Sequence, residues 1–152
     1  MYNLDNVPSD FPWTVVTYNA VEPWRTKGSN WFNELPTGWG DVTYTFLKVA
    51  TYILERFDLK DYIIIEQVKE KWGEGRFYYT FVPFSENHEY IEFTDFQQQG
   101  MDIFQEVAFD WEYAVSNVCC DCGTTENVTC YGGWVHYACP ECEKKHRKAY
   151  QE

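Results

Sequence analysis

The sequence predicts an α+β fold: a helix, a β-hairpin and a long helix packed as one small domain, followed by a separate C-terminal module. Three observations predict it. Apolar residues recur at helical spacing over 41–57 and again over 95–118. Between them lies a run rich in Ile, Tyr, Phe and Val, interrupted by Gly-Glu-Gly. All six cysteines of the 152-residue chain fall between Cys119 and Cys142. The expected divisions are an N-terminal arm at 1–37, a core at 38–118 and a module at 119–152.

Residues 1–39 read as irregular. Pro8, Pro12, Pro23 and Pro36 punctuate them, and their Trp and Phe residues keep no period. One short strand is expected in "FPWTVVTY", and the aromatics are expected to lie over the core as a wrapped arm. Residues 41–57, "DVTYTFLKVATYILERF", read as a helix with Asp41 as N-cap. Phe46, Leu47, Ala50, Ile53, Leu54 and Phe57 fall on one face.

Residues 61–84 read as two strands, with the glycines of "GEG" supplying the positive φ of a short connection. Residues 95–118 read as a helix that feeds straight into the cysteines. Phe96, Met101, Phe104, Val107, Ala108, Trp111, Ala114 and Val115 step by three and four along it. Gly100 is an interior cost of about 1 kcal/mol and marks either a kink or a late start.

The composition is 20% aromatic, enough for a true core, and the net charge is −12. Residues 61–118 hold 12 acidic and 3 basic side chains, so the acidity is concentrated in the core. Such a body repels phosphate backbones at long range and suits a basic partner. The plainer reading is that acidity keeps an aromatic-rich protein in solution. No run of about 18 apolar residues exists to span a membrane. "MYNLDNVPSDFPW" has neither the basic nor the apolar part of a secretory leader, so a cytoplasmic location is expected. There thiols stay reduced, and clustered cysteines point to metal rather than disulfides.

Cys119 and Cys122 make one C-x-x-C pair, and Cys139 and Cys142 make another. This is the spacing of a four-cysteine structural zinc site. Each pair lets a tight turn aim two thiolates at one ion, and Gly123 frees the chain to turn after Cys122. "NVTCYGGWVHYA" reads as two strands joined at Gly132–Gly133, and "EKKHRKAY" as a short helix. Knuckle, hairpin, then ligands at a helix start resembles a treble-clef or zinc-ribbon module. Alternatives remain open at this point: Cys120 in place of Cys119, or Cys130 or His136 joining the shell. His136 reads as structural rather than catalytic. Closed four-thiolate sites do not activate water, and their role is to stabilise a module too small to bury a core.

Three segments, "GWG" at 38–40, "EQVKEKWGEGRFYY" at 66–79 and the "GWVHYACPEC" run, resemble a family of small bacterial and phage proteins. Its members carry a Gly-Trp helix start, a segment like "QVKEKFGxLRFY" and a C-terminal CxxC module. The likeness covers residues 38–84 and 105–145, and the arm has no counterpart. Trp72 stands where that family has Phe, and Glu74-Gly75 precedes Arg76. The resemblance implies an α+β fold and a phage or mobile-element setting, with a bacterial cytoplasm as the location. It supplies no catalytic residues.

No phosphate loop, nucleophile elbow or H-E-x-x-H motif is present. His136, three residues before Cys139, is a poor match to a His-Asn-His nuclease. His88 in "SENHEY" has acidic neighbours that reflect loop composition only. The reading therefore leans away from an enzyme.

The class expected is protein–protein interaction with a basic host or phage protein, including inhibition of a nucleic-acid-binding host factor. Glu86, Glu89, Glu92, Asp95, Asp102, Glu106, Asp110 and Glu112 are the candidate acidic face. One alternative is single-stranded nucleic-acid or RNA binding, duplex DNA being disfavoured. Lys144, Lys145, Arg147 and Lys148 would supply the charge, and Trp134 and Tyr137 the stacking surfaces. A second alternative is a pocket that sequesters a nucleotide.

Overall fold

The computed structural model describes residues 1–18, 25–84 and 89–151, with backbone alone for 17–18, 25–27 and 150–151. Its architecture is α+β: four helices and three two-stranded antiparallel sheets among the described residues.

The N-terminal arm is more ordered than its prolines suggest. A 3₁₀ turn at Leu4–Asn6 leads into helix α1 (Val7–Asp10), then a second 3₁₀ turn at Pro12–Val15. Pro8 and Pro12 sit in the first turn of their helical segments, where the missing N–H has no partner to lose. The expected short strand is β1 (Val16–Tyr18), and it pairs with a second, β2 (Arg25–Lys27). Leu4, Val7, Phe11, Trp13, Phe32 and Leu35 are buried in the main core, so the arm wraps over it. The Tyr44 hydroxyl donates to Asp10 Oδ2 at 2.7 Å and ties the arm to the next helix.

Helix α2 (Gly40–Arg56) is where periodicity placed it, and Phe46, Leu47, Ala50, Ile53 and Leu54 are buried as expected. Phe57 is half-buried just beyond its end. The cap differs. A 3₁₀ turn at Thr37–Trp39 runs straight into α2, which moves the capping position back to Trp39. Asp41 lies inside the first turn, and its Oδ1 accepts the Tyr2 backbone N–H at 2.8 Å. A carboxylate there still suits the positive end of the helix.

Strands β3 (Ile63–Lys71) and β4 (Glu74–Phe81) form the hairpin, paired from Ile63–Phe81 to Lys71–Glu74. The turn is Trp72–Gly73, not Gly-Glu-Gly. Both residues have positive φ, 58° and 80°, which is the two-residue connection that matches strand twist. Gly75 is in the strand, opposite Glu70, and a Cβ there would lie 2.9 Å from the Trp111 ring.

Helix α3 (Asp95–Ala114) begins with a capping box: Thr94 accepts the Gln97 N–H, and the Gln97 side chain accepts the Thr94 N–H. It ends at Ala114 and passes into a 3₁₀ turn at Val115–Asn117, so the expected helix is four residues too long. Gly100 is neither a kink nor a start. It lies inside an unbroken helix, where a Cβ would meet Phe57 at 2.4 Å. Trp111 stands at the centre of the core, against Trp39, Phe46 and Phe77. Its Nε1 donates to Thr43 Oγ1 at 3.0 Å, joining α3 to α2. Trp111→Phe should lower unfolding stability by about 2 kcal/mol, through a smaller ring and an unmade buried hydrogen bond. Urea unfolding monitored by far-UV circular dichroism checks this.

The C-terminal module is β5 (Thr129–Tyr131), β6 (His136–Ala138) and helix α4 (Pro140–Gln151). No helix among the described residues is long and apolar enough to cross a membrane.

Candidate metal centre

Residues 119–123 form a tight knuckle. Cys119 N–H donates to Thr124 O at 2.8 Å, and Gly123 N–H donates back to Cys119 O at 3.0 Å. Gly123 takes the expected left-handed backbone, φ 78°. The second pair is set by a helix start. Pro140 opens α4, Glu143 N–H bonds Cys139 O at 3.0 Å, and Cys142 projects from the first turn. Unpaired amides at that end favour thiolate charge.

These two turns bring together Cys119, Cys122, Cys139 and Cys142, whose four sulfurs lie within 4.8 Å of one another. Cys122 Sγ and Cys139 Sγ are 3.8 Å apart. An ion with four bonds of about 2.3 Å at tetrahedral angles spaces its sulfurs by about 3.8 Å. The quartet is therefore close enough to hold a metal ion. The other candidates stand outside it. Cys130 is exposed on β5. His136 is committed through both nitrogens: Nδ1 lies 2.6 Å from Trp134 O and Nε2 lies 2.6 Å from Glu143 Oε2.

The thiols are electrostatically unequal. Burial alone would raise Cys119, but the amides of Cys122, Cys139 and Asp121, with the Cys142 thiol, hold it down at about 6. Burial raises Cys142, reinforced by hydrogen bonds to the other three sulfurs. Burial and the Asp121 charge push Cys120 up to about 12. Burial would raise Glu143 too, yet the hydrogen bond and charge of His136, with Arg147 beside them, hold it below the usual carboxylate range.

The module is fastened to the core by backbone. Gly38 N–H donates to Cys120 O at 2.8 Å, while Cys120 N–H donates to Tyr137 O at 2.9 Å. Gly38 can carry no side chain here, since a Cβ would stand 2.1 Å from Cys119 O. The "GWG" segment thus serves the knuckle as well as the helix start.

The other sequence-predicted residues scatter. Asp95, Asp102, Glu106 and Asp110 are exposed along one side of α3, with Ile103, Phe109 and Tyr113 exposed on the same helix. Glu89 and Glu92 are exposed before that helix. Glu112 is committed to the hairpin, where its Oε2 accepts the Phe77 N–H at 2.8 Å. Glu86 and His88 lie outside the described residues. On α4, Lys144 faces Glu141 at 3.7 Å and Arg147 faces Glu143 at 3.4 Å, while Lys145 and Lys148 are exposed. The Tyr137 ring packs on the hairpin turn, 2.8 Å from where a Gly73 Cβ would be.

One feature escaped the sequence. Trp72 is 72% exposed at the β3–β4 tip and Trp134 is 52% exposed at the β5–β6 tip. They flank a common groove of about 380 Å³ with Glu70. Beside it a cavity of about 220 Å³ is lined by Glu34, Glu70, Asp121 and Trp134. The only sequence signal was Trp in a two-residue turn, where Asn or Gly is expected.

Fold and site define a small α+β protein with a C-terminal module built around a four-cysteine cluster able to hold metal. Comparison with family models, with curated proteins and with solved structures gives no match.

Proposed function

We propose that this chain is a zinc-stabilised interaction protein that docks on a basic protein surface. The observation that carries the reading is Trp72. It holds a left-handed backbone that a bulky residue adopts at a cost, and it exposes its ring to solvent. Local rules broken without a packing gain mark function. Trp134 stands next to it, and tryptophans dominate the energetics of protein interfaces. Glu34 and Glu70 lie around the same grooves and suit Lys or Arg, which also pair with aromatic faces. The acidic side of α3 extends the field that steers such a partner.

Zinc is the ion this reading assigns to the quartet, since four thiolates at tetrahedral spacing suit it best. The quartet is a structural centre, and the chemistry a bound ion supplies is four strong bonds that close the module. A phage or mobile-element origin, and with it a bacterial cytoplasm, follows from the sequence resemblance and belongs to the same proposal.

Nucleic-acid binding draws less support. Two of the four α4 cations face carboxylates, and Tyr137 is packed against Gly73. Nucleotide sequestration draws less still, because acidic groups line the cavity and repel phosphate.

The test is titration of the protein with an Arg- and Lys-rich peptide and, separately, with a single-stranded oligonucleotide, read by tryptophan fluorescence. The peptide should bind with an affinity that falls as salt rises. Trp72→Ala should weaken it about tenfold or more. Oligonucleotide binding that depends on Lys145 and Lys148, with no peptide binding, overturns the proposal. Trp72→Asn gives a companion result: removing the strained backbone should raise stability by about 0.5–1 kcal/mol while weakening the peptide. Thermal unfolding of the two proteins side by side measures that gain.

A further inference from the structure

We infer a second metal site, made of Cys120, Asp121 and His146, which takes one divalent transition-metal ion and keeps a coordination position open. The Cys120 sulfur, an Asp121 carboxylate oxygen and a His146 ring nitrogen all lie within 4.8 Å of one another. None of the three belongs to the four-cysteine quartet. Cys120 is buried and the other two are partly exposed, so the site is reached from one side.

The donor types choose the ion. Thiolate and imidazole select zinc, cobalt, nickel or iron, while magnesium and calcium need an all-oxygen shell. Three protein ligands instead of four are the pattern of a centre that retains water or a small ligand. Cys120 and Asp121 line the cavity of about 220 Å³, so the remaining position has room beside it. A divalent ion with one thiolate and one carboxylate is neutral, which suits a half-buried location. The ion takes the place of the Cys120 thiol proton, which leaves to solvent.

Once the four-cysteine centre is filled, these ligands are in place before a second ion arrives. Cys120 is held on both sides by backbone, its N–H on Tyr137 O and its carbonyl under Gly38 N–H. Asp121 is the next residue of the same knuckle. His146 projects from α4, whose start is set by Cys139 and Cys142, and the Trp134 ring lies against it with centroids 5.2 Å apart. His146 Nε2 is hydrogen-bonded to Asp121 Oδ2, which keeps the two side by side; an ion bound by both atoms would replace that bond, the imidazole proton moving to the other ring nitrogen. A simple Asp–His ion pair explains that contact alone. The Cys120 sulfur belongs to the module's buried cluster, and it also lies within ligand distance of both.

This inference rests on the four-cysteine centre, because that centre places both the knuckle and α4. Metal-free, reduced full-length protein should be titrated with Co²⁺, with visible absorption and bound metal measured together. Two equivalents are expected. The first develops the absorption of four thiolates. The second adds a fifth thiolate, so the sulfur-to-cobalt intensity rises by about a quarter, in proportion to thiolate count. Cys120→Ala, His146→Gln and Asp121→Asn should each keep the first equivalent with its spectrum and bind the second about 100-fold more weakly or not at all.

A complete four-thiolate spectrum with only one equivalent bound overturns the second site and leaves the first standing. Failure to develop the four-thiolate spectrum overturns both. A second equivalent that survives all three substitutions, or a Cys120→Ala protein that loses the first, also overturns the assignment.

Discussion

Stripping the metal, or replacing Cys119 by Ser, should unfold residues 119–151 while the aromatic core stays folded. The reason is how little else holds the module. Its buried cluster comprises Cys119, Cys120, Ala138, Cys139 and Cys142, so three of the quartet's ligands are themselves most of its core. Val128 and Tyr131 are only partly buried against it. Hydrophobic burial on that scale cannot offset the conformational entropy of about 1–2 kcal/mol per ordered residue. A structural zinc ion contributes about 10–16 kcal/mol of binding free energy in modules of this size.

The main core is a separate cluster of far more residues, including Trp39, Phe104 and Trp111, and contains no member of the quartet. Hydrogen exchange after chelation should therefore show β5, β6 and α4 amides exchanging freely, with α2 and α3 still protected. Protection retained throughout the module would show that metal does not hold it. The charge state of the cluster sets a pH dependence. Metal binds thiolates, so it must displace the cysteine protons, and apparent affinity should fall as pH falls.

Gly38→Ala should be strongly damaging although it touches none of the cysteine side chains. The added Cβ would lie 2.1 Å from Cys119 O, 2.6 Å from Cys120 C and 2.8 Å from Asp121 N. All three are backbone atoms of the knuckle, so no side chain can rotate away. Either the knuckle shifts and its sulfurs leave the quartet, or the Gly38 N–H to Cys120 O bond breaks. The cost should be about 3 kcal/mol or more, which corresponds to about a hundredfold in metal affinity if it falls wholly on the site. Gly132→Ala supplies the contrast, since nothing lies within 4 Å of a Cβ there, and stability should change by less than about 0.5 kcal/mol. Competition against a chelating dye measures affinity, and thermal unfolding measures stability. Equal behaviour of the two variants would remove Gly38 from the account of the site.

Much of this was legible in the residues. The faces of α2 and α3 followed from spacing, because a helix with one buried side must repeat its apolar residues every three to four positions. The gathering of Cys119, Cys122, Cys139 and Cys142 followed from two C-x-x-C pairs, because two intervening residues let a tight turn aim both sulfurs one way. Boundaries were less legible. The Asp41 cap was displaced by a 3₁₀ turn, and the turn expected at Gly-Glu-Gly moved to Trp72–Gly73. The propensity rule that favours glycine at positive φ could not foresee a tryptophan there. Gly75 is paired within the strand, and glycine is required there because Trp111, far away in sequence, leaves no room for a side chain.

The sequence by itself determined the elements whose cause is local: periodic helices, a hairpin, and a pair of cysteine turns. Tertiary structure alone decided which residues from distant segments meet. It set Gly38 against the Cys119–Asp121 backbone, placed Trp72 beside Trp134, and gathered Cys120, Asp121 and His146. Such meetings depend on how close-packed surfaces exclude one another in three dimensions, and no spacing along a chain records that.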